Sequence, residues 1–399
     1  MSKAVIFGEY KLARILPGLR ARGFDDVVVY SAVDFDGFDV EVKRLGLDWT
    51  GADVLDVLER ERADIAIANP YAHGQEQLPL VYGEAAAKWD GHFLAHSAEF
   101  AEVACDKVVL HETAVARGWP VPAGAVCRSA DEVRTLVAEL GFPVVLKEAQ
   151  SQAGDGRFFV ASATDLDAVL AGPLGLPVIV QRFQQGFECG VELISAGGAQ
   201  RRWPVASLGS LDTGLDPSFR ARVMPFALPE RAAAGLDRLV EDIERNFAPN
   251  GPWQIDFAVV DGELCLLEIN ARLGGLSDLD SVATGTDPHA VFVAAASGEE
   301  LPPVAQRAVA IELPSTEAPG NPLPAEPAGS NLMTVTARTP TNRCFIDSDH
   351  MQVIVTVDDV AATKEWIAAL SGAGLLRCTT ESAYAQLDAA LATFGEARR

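Results

Sequence analysis

The segment Gln254-Ile255-Asp256-Phe257-Ala258-Val259-Val260-Asp261-Gly262-Glu263-Leu264-Cys265-Leu266-Leu267-Glu268-Ile269-Asn270-Ala271-Arg272 reads as two strands joined at Asp261-Gly262, a dipeptide that favours a tight hairpin turn. A two-residue loop pairs Val260 with Glu263 and sets Asp256 and Glu268 on opposite faces. A three-residue loop, with Gly262 left-handed and a bulge after it, pairs Val259 with Glu263. Residues of like parity then share a face. One face becomes apolar throughout, with Ile255, Phe257, Val259, Cys265, Leu267 and Ile269. The other carries Asp256, Glu268 and Asn270. A one-residue slip destroys that sorting, so the sequence predicts the three-residue loop.

Two carboxylates and an amide oxygen on one face make a hard-oxygen donor set. Mg²⁺ favours such donors and takes only one or two from protein, with phosphate oxygens and water completing its octahedron. Arg272 follows in the same strand direction, where a guanidinium can meet charge on a reacting group.

At 399 residues the chain is long enough for two or three domains with cores of their own. With 49% hydrophobic and 22% charged residues it is globular. The formal charge of −24 disfavours nucleic acid and anionic membranes as partners, and an anionic small molecule then needs locally placed Lys or Arg. The six cysteines, at 105, 127, 189, 265, 344 and 378, form no Cys-x-x-Cys pair and no zinc pattern. The apolar run at the N-terminus is too short for a signal peptide, and no run reaches the ~20 residues of a membrane span. A cytoplasmic location is the expectation.

Residues 3–7 read as a buried strand, followed by Gly8-Glu9-Tyr10, a helical pattern over Leu12, Ile15, Leu16 and Leu19, and a strand over Asp26 to Tyr30. This alternation predicts an open parallel sheet through about residue 100. Gly8 is the only glycine of the first turn, so no dinucleotide fingerprint is present. Beyond Cys105-Asp106-Lys107 a helix opens. Phe142 to Lys147 is a strand ending on a lysine, and Phe158-Phe159-Val160 returns from a glycine-bearing tip over 150–157 that holds Gly154 and Gly156. No Gly-Lys-Ser/Thr follows, so the tip is not a Walker loop. Val178 to Phe183 is a strand leading to Glu188. The Ser/Gly/Asp-rich segment 207–223, with Arg220 and Arg222, reads as a loop facing a cleft. Residues 314–330 read as a linker or long surface loop, and a small strand-and-helix unit follows. The predicted domains are 1–104, 105–304 with a lid over about 125–185, and 305–399.

The series Asp106-Lys107, Lys147 with its glycine hairpin, Glu188, Asp256 and Glu268-x-Asn270-x-Arg272 resembles the ATP-grasp superfamily in order and spacing over residues 105–300. Gly8 to Ile15 and Val29 to Asp34 look like the opening of biotin-carboxylase and carbamoyl-phosphate-synthase-type proteins. The resemblance implies an α/β (α+β) architecture: an N-terminal open parallel sheet, an ATP-grasp fold with a lid, and a small C-terminal domain. It implies ATP and Mg²⁺ as cofactors. Lys107 and Lys147 would hold phosphates, the tip with Gly154 and Gly156 would close over them, and Gln181, Arg182 and Phe183 would meet adenine. Glu188 would take the ribose hydroxyls. Asp256, Glu268 and Asn270 would ligate the metal. Arg272, with Lys147, would act in catalysis, and Arg220, Arg222 and Gly274 would face the substrate. The implied activity is an ADP-forming ligase that joins a small carboxylate to an amine through an acyl phosphate. Related proteins are often dimers, so a homodimer is one assembly to consider. Four departures stand out: Gln181 where an acid is usual, Asp256 where biotin carboxylases have Glu, a glycine-poor tip, and Leu273-Gly274-Gly275-Leu276-Ser277-Asp278 where they carry a Glu-His pair that activates bicarbonate. A biotin-dependent carboxylase and a nucleotide-binding protein without turnover are the alternatives.

Overall fold

The structure is a computed structural model that describes residues 2–70, 75, 77–150, 156–211, 219–317, 322–336 and 350–397. Gly154 and most of the predicted 150–157 tip lie outside the described residues, as do parts of the 207–223 and 314–330 segments.

The N-terminal sheet contains β1 (Lys3–Phe7), β2 (Asp26–Ser31), β3 (Glu41–Arg44), β4 (Ile65–Ala68) and β5 (His92–Leu94), all parallel, in the order β3-β2-β1-β4-β5. β1 and β4 are buried along nearly their whole length, as strands covered on both faces must be. Helices α1 (Leu12–Arg20), α2 (Gly51–Glu61) and α3 (Leu78–Ala86) supply that cover. Gly8 has φ +111°, and a Cβ there would collide with the Asn69 carbonyl oxygen. This close approach lets the β1 and β4 ends lie side by side at the point where strand order reverses.

Helices α4 (Ala98–Cys105) and α5 (Lys107–Arg117) lead into a four-stranded antiparallel sheet. Its strands are β6 (Gly124–Cys127), β7 (Val144–Glu148), β8 (Arg157–Val160) and β9 (Val178–Arg182), in the order β6-β9-β7-β8. Helices α6 (Ala130–Leu140) and α7 (Ala163–Ala171) bury Val133, Val137 and Leu166 against Val144, Leu146, Val178 and Val180. Alternation then turns Val145, Lys147, Ile179 and Gln181 to the opposite face.

The third sheet has nine strands, in the order β15-β14-β10-β12-β13-β16-β18-β17 with β11 on β10. They are β10 (Phe187–Ala196), β11 (Ala199–Arg202), β12 (Ala206–Ser210), β13 (Arg222–Met224), β14 (Gly251–Val260), β15 (Glu263–Asn270), β16 (Ala310–Thr316), β17 (Leu332–Thr336) and β18 (His350–Thr356). Helices α8 (Glu230–Phe247), α9 (Ser277–Thr284) and α10 (Pro288–Ala296) fall between the central strands, and α11 (Val360–Gly372) and α12 (Thr380–Ala397) end the chain. After residue 305, β16 is hydrogen-bonded to β13, β18 to β16 and β17 to β18, so these strands continue the central sheet.

The hairpin over residues 254–270 does not have the predicted loop. Val260 pairs with Glu263, so the turn has two residues. Asp261 (φ 51°) and Gly262 (φ 79°) are both left-handed, as a type I′ turn requires. The extra residue lies deeper. Phe257 pairs with Leu266 and Asp256 with Glu268, leaving Leu267 as a bulge. The bulge restores by a different route the parity that the three-residue loop was meant to provide. Asp256 and Glu268 stand directly opposite each other. The core face holds Ile255, Phe257, Leu264, Leu266 and Ile269, packed on Leu236, Leu239 and Ile243 of α8. Cys265 and Leu267, predicted for that face, lie off it.

Candidate active site

The β6-β9-β7-β8 sheet, in the segment predicted as a lid, and the β14–β15 hairpin face each other, and charged groups meet between them. Asp106 caps α5, its carboxylate accepting from the Val108 and Val109 amides at 2.8 and 3.0 Å. That cap fixes the helix start and places Lys107 at its first turn. The Lys107 amide donates to the Ala149 carbonyl just beyond β7 (2.8 Å), and Lys107 Nζ reaches Glu268 Oε1 at 3.0 Å. From β7, Lys147 Nζ donates to the carbonyl of the bulged Leu267 at 3.3 Å. Burial lowers the Lys147 pKa to about 8, the nearby Lys107 and Arg157 adding to this and Glu268 opposing it.

Burial opposes ionisation of Glu268, but Lys107, Lys147 and Arg272 together hold its pKa below the ordinary value. Asp256 is the opposite case. Burial, with the Glu188 and Glu268 carboxylates adding to it, pushes its pKa up to about 8. Gln254 Nε2 donates to Asp256 Oδ1 at 2.6 Å and Asn270 Nδ2 to Oδ2 at 3.2 Å. Arg272 donates to the Leu273 carbonyl (3.2 Å) and to Asn270 Oδ1 (3.5 Å). Gly190 leaves room for this cluster, since a Cβ there would press on Asp256 Oδ1 at 2.9 Å.

The other predicted residues are placed as follows. Glu188, on β10, pairs with Arg220 at 2.7 Å. Gln181 is buried in β9 with Nε2 3.3 Å from His111 Nδ1 of α5. Arg182 turns outward to the Leu140 carbonyl. Its amide donates to Ala123 and that of Phe183 to Pro143, so both amides belong to the lid. Gly156 has φ 63° and its carbonyl closes the β7–β8 hairpin by accepting from Glu148 N at 2.8 Å. Arg222, on β13, donates to the Gly275 carbonyl at 3.0 Å and pairs with Glu312 at 3.2 Å. The Gly274 amide donates to Glu192 Oε1 at 2.6 Å, and a Cβ at Gly274 would collide with Gln254 Oε1.

A second group of charges escaped the sequence reading. Lys11 Nζ donates to Asp278 Oδ2 at 2.6 Å and to Ser277 Oγ at 3.0 Å, and Arg14 reaches Asp278 Oδ1 at 3.0 Å. These contacts tie α1 to the start of α9, and Lys11 itself sits in the left-handed region at φ 45°. Behind them Glu192 and Asp280 are fully buried. Burial raises both pKa values, and the neighbouring Glu192 charge raises that of Asp280 further. These residues are up to 267 positions apart in the chain, and no local pattern marks them.

Known proteins bear on this geometry. The carbamoyl phosphate synthase large chain of Gemmatimonas aurantiaca is 25% identical over 316 residues, covering 75% of this chain and 26% of that protein. The D-alanine–D-alanine ligase of Geobacter sulfurreducens is 27% identical over 286 residues, 67% of this chain and 81% of that one. A solved ADP complex of N5-carboxyaminoimidazole ribonucleotide synthetase superposes with a TM-score of 0.73 at 14% identity, over 93% of this chain and 96% of that one. These relatives and the solved structure are ATP-grasp enzymes, and the chain is similar to them in sequence and in fold. No family model matches it. The chain spans about a quarter of the length of the carbamoyl phosphate synthase large chains it matches. None of its described helices is long and apolar enough to cross a membrane.

Proposed function

We propose that this protein is an ADP-forming carboxylate–amine ligase. The supporting observation is the facing of Lys107 and Lys147 onto the Asp256–Glu268–Asn270 face, with Arg272 next along the strand. The substrate carboxylate oxygen attacks the γ-phosphorus of ATP, the bond to ADP breaks, and an acyl phosphate forms. The amine nitrogen then attacks the acyl carbon, phosphate leaves with the bonding pair, and the amine gives up its proton. Phosphoryl transfer of this kind depends mostly on positioning and charge neutralisation. Lys107 and Lys147 would hold phosphate oxygens, and Glu188 would accept from ribose hydroxyls. Arg182 and Phe183 would border adenine, with Gln181 behind them. Arg272 would face the acyl phosphate and the oxyanion that follows it.

Among the described residues no group of three or more His, Cys, Asp or Glu side chains is arranged to hold a metal. Mg²⁺ does not need such a group, since it takes only one or two protein carboxylates beside phosphate. The donor set fits too: Asp256, its pKa raised to about 8 by burial and then by Glu188 and Glu268, gains from a cation nearby. Asp256, Glu268 and Asn270 would hold the ion, which would supply neutralisation of phosphate charge. Arg222 and the Gly274–Gly275 turn would border the acceptor, small carboxylates and amines being the substrate class. A biotin-type carboxylase is disfavoured because residues 273–278 supply no Glu-His pair.

The test is ADP release across amino acids and related carboxylates, singly and in pairs with amines, with masses of the products. A product equal to acid plus amine minus water, formed with stoichiometric ADP and phosphate, is expected. Biotin-dependent turnover of bicarbonate would overturn the ligase reading, and nucleotide binding without ADP release from any pair would replace it with a binding protein.

A further inference from the structure

Glu188 and Arg220 form a buried pair in which only one partner has been given a reason. The side chain of Arg220 is 3% exposed and that of Glu188 12%. Three local features bring them together. Glu188 lies opposite Gly209 of β12, and the β10–β12 ladder shifts register between Glu188 and Cys189. Gly209 has φ +97°, and a Cβ there would press on Arg220 Cβ at 3.0 Å and Cδ at 3.3 Å. The missing side chain therefore opens the path by which Arg220 crosses β12. Arg220 Nη1 stops 2.7 Å from Glu188 Oε2, but off its N–H axis. Among the described residues, neither Nη1 nor Nε of Arg220 makes a hydrogen bond, and both are buried, as is Glu188 Oε2. A guanidinium has five donors in a rigid fork. Buried with donors to spare beside Oε2, its charge holds that oxygen in place, and the part of the Glu188 side chain that stays exposed is what a ligand can reach.

We propose that Arg220 is a positioning residue for nucleotide selectivity: its ion pair fixes the Glu188 carboxylate in the orientation that accepts from a ribose hydroxyl. This inference rests on the nucleotide-binding part of the proposed function and assigns Arg220 to the nucleotide side of the cleft, away from the acceptor. A hydroxyl donating to a fixed carboxylate discriminates strongly against its absence. A site built around such a bond loses about tenfold to a hundredfold in affinity when the hydroxyl is missing. A carboxylate free to swing loses most of that contrast.

The experiment measures dissociation constants of ATP, 2′-deoxy-ATP and 3′-deoxy-ATP on the full chain, on Arg220→Gln and on Arg220→Lys. Wild type should prefer ATP over at least one deoxy analogue by about tenfold or more. In Arg220→Gln that ratio should fall below about threefold, with the deoxy nucleotide itself bound nearly as before. Arg220→Lys, which keeps the charge and loses the fork, should lie between, and it decides the matter if the Gln variant does not fold. A preserved ratio in either folded variant, including equal weakening for all three nucleotides, would overturn the inference. So would wild-type protein that binds ATP without discriminating, and then the ligase reading stands. Wild-type protein that binds none of the three removes both.

Discussion

Lys107 and Glu268, at the lid end of the cleft, meet at 3.0 Å with 15% and 34% of their side chains exposed. Lys11 and Asp278, at the end formed by the N-terminal sheet, meet at 2.6 Å with 6% and 5% exposed. The first pair makes a contact that water, phosphate or a cation can exchange. The second is sealed, with Ser277 and Arg14 completing its shell. An exposed pair contributes little to stability, whereas one partner of a buried pair is costly to lose because the other is left charged and dry. The same two charge types therefore stand in two settings. At the lid end they are open to the cleft, and at the far end they join α1 to α9.

Four measurements would break or sharpen this contrast. The largest effect is expected from Glu268→Gln, which should abolish turnover and leave the melting temperature close to wild type, because the side chain lies on the cleft face of β15 and away from the core. Near-normal ADP release from this variant would remove the metal-and-phosphate assignment. Lys11→Met should show the reverse, a stability loss of about 3–5 kcal/mol, read by chemical denaturation. A change under 1 kcal/mol would mean that the sealed pair does not lock the two elements.

Arg272→Lys comes next. It keeps the charge and loses the fork, so kcat should fall about 10²–10³-fold while ATP affinity changes little. Collapse of ATP binding with turnover retained at saturating nucleotide would make Arg272 a nucleotide ligand. The smallest effect concerns pH. Lys147 has its pKa lowered to about 8, so ATP should bind more weakly as pH rises through 8, by less than tenfold per unit. For the unliganded protein the sign is opposite. Between about 8 and the ordinary lysine value the unfolded chain keeps a proton that the folded chain has shed, so this group's contribution to stability grows with pH. Isothermal titration and denaturation over pH 7–10 check both, and Lys147→Arg should flatten both dependences. A flat profile in wild type would place the lysine in a wetter setting than the structure gives it.

The lid end was legible in the sequence because its residues stand in local, punctuated frames. Asp106 caps a helix and so places Lys107. Lys147 ends an apolar strand. Asp261-Gly262 announces a turn. Parity alone then brought Asp256 and Glu268 together, correctly in outcome and wrongly in route. The bulge at Leu267 has no turn residue to advertise it, although Leu264-Cys265-Leu266-Leu267, four apolar residues in a row, marks the place where alternation fails. The far end was illegible for a different reason. Lys11 and Asp278 are ordinary residues in their own segments, and Glu192, Gln254 and Gly274 gain meaning only once three separate strands and turns are packed. The continuation of the central sheet into β16, β18 and β17 was hidden likewise, since a strand's sequence shows that it pairs but not with which partner.

The bulge has one more consequence, for reading descent. Between the turn glycine and Glu268 the chain has an odd surplus residue, Leu267, that no partner strand matches. Removing it would make Leu266 and Glu268 neighbours on a regular ladder, one facing α8 and the other still opposite Asp256 in the cleft. What would go is the bulged carbonyl that receives Lys147. A descendant with a hairpin shorter by one would thus keep its acid in place and lose the anchor of its lysine, so residue spacing alone is a poor guide to which copies still work.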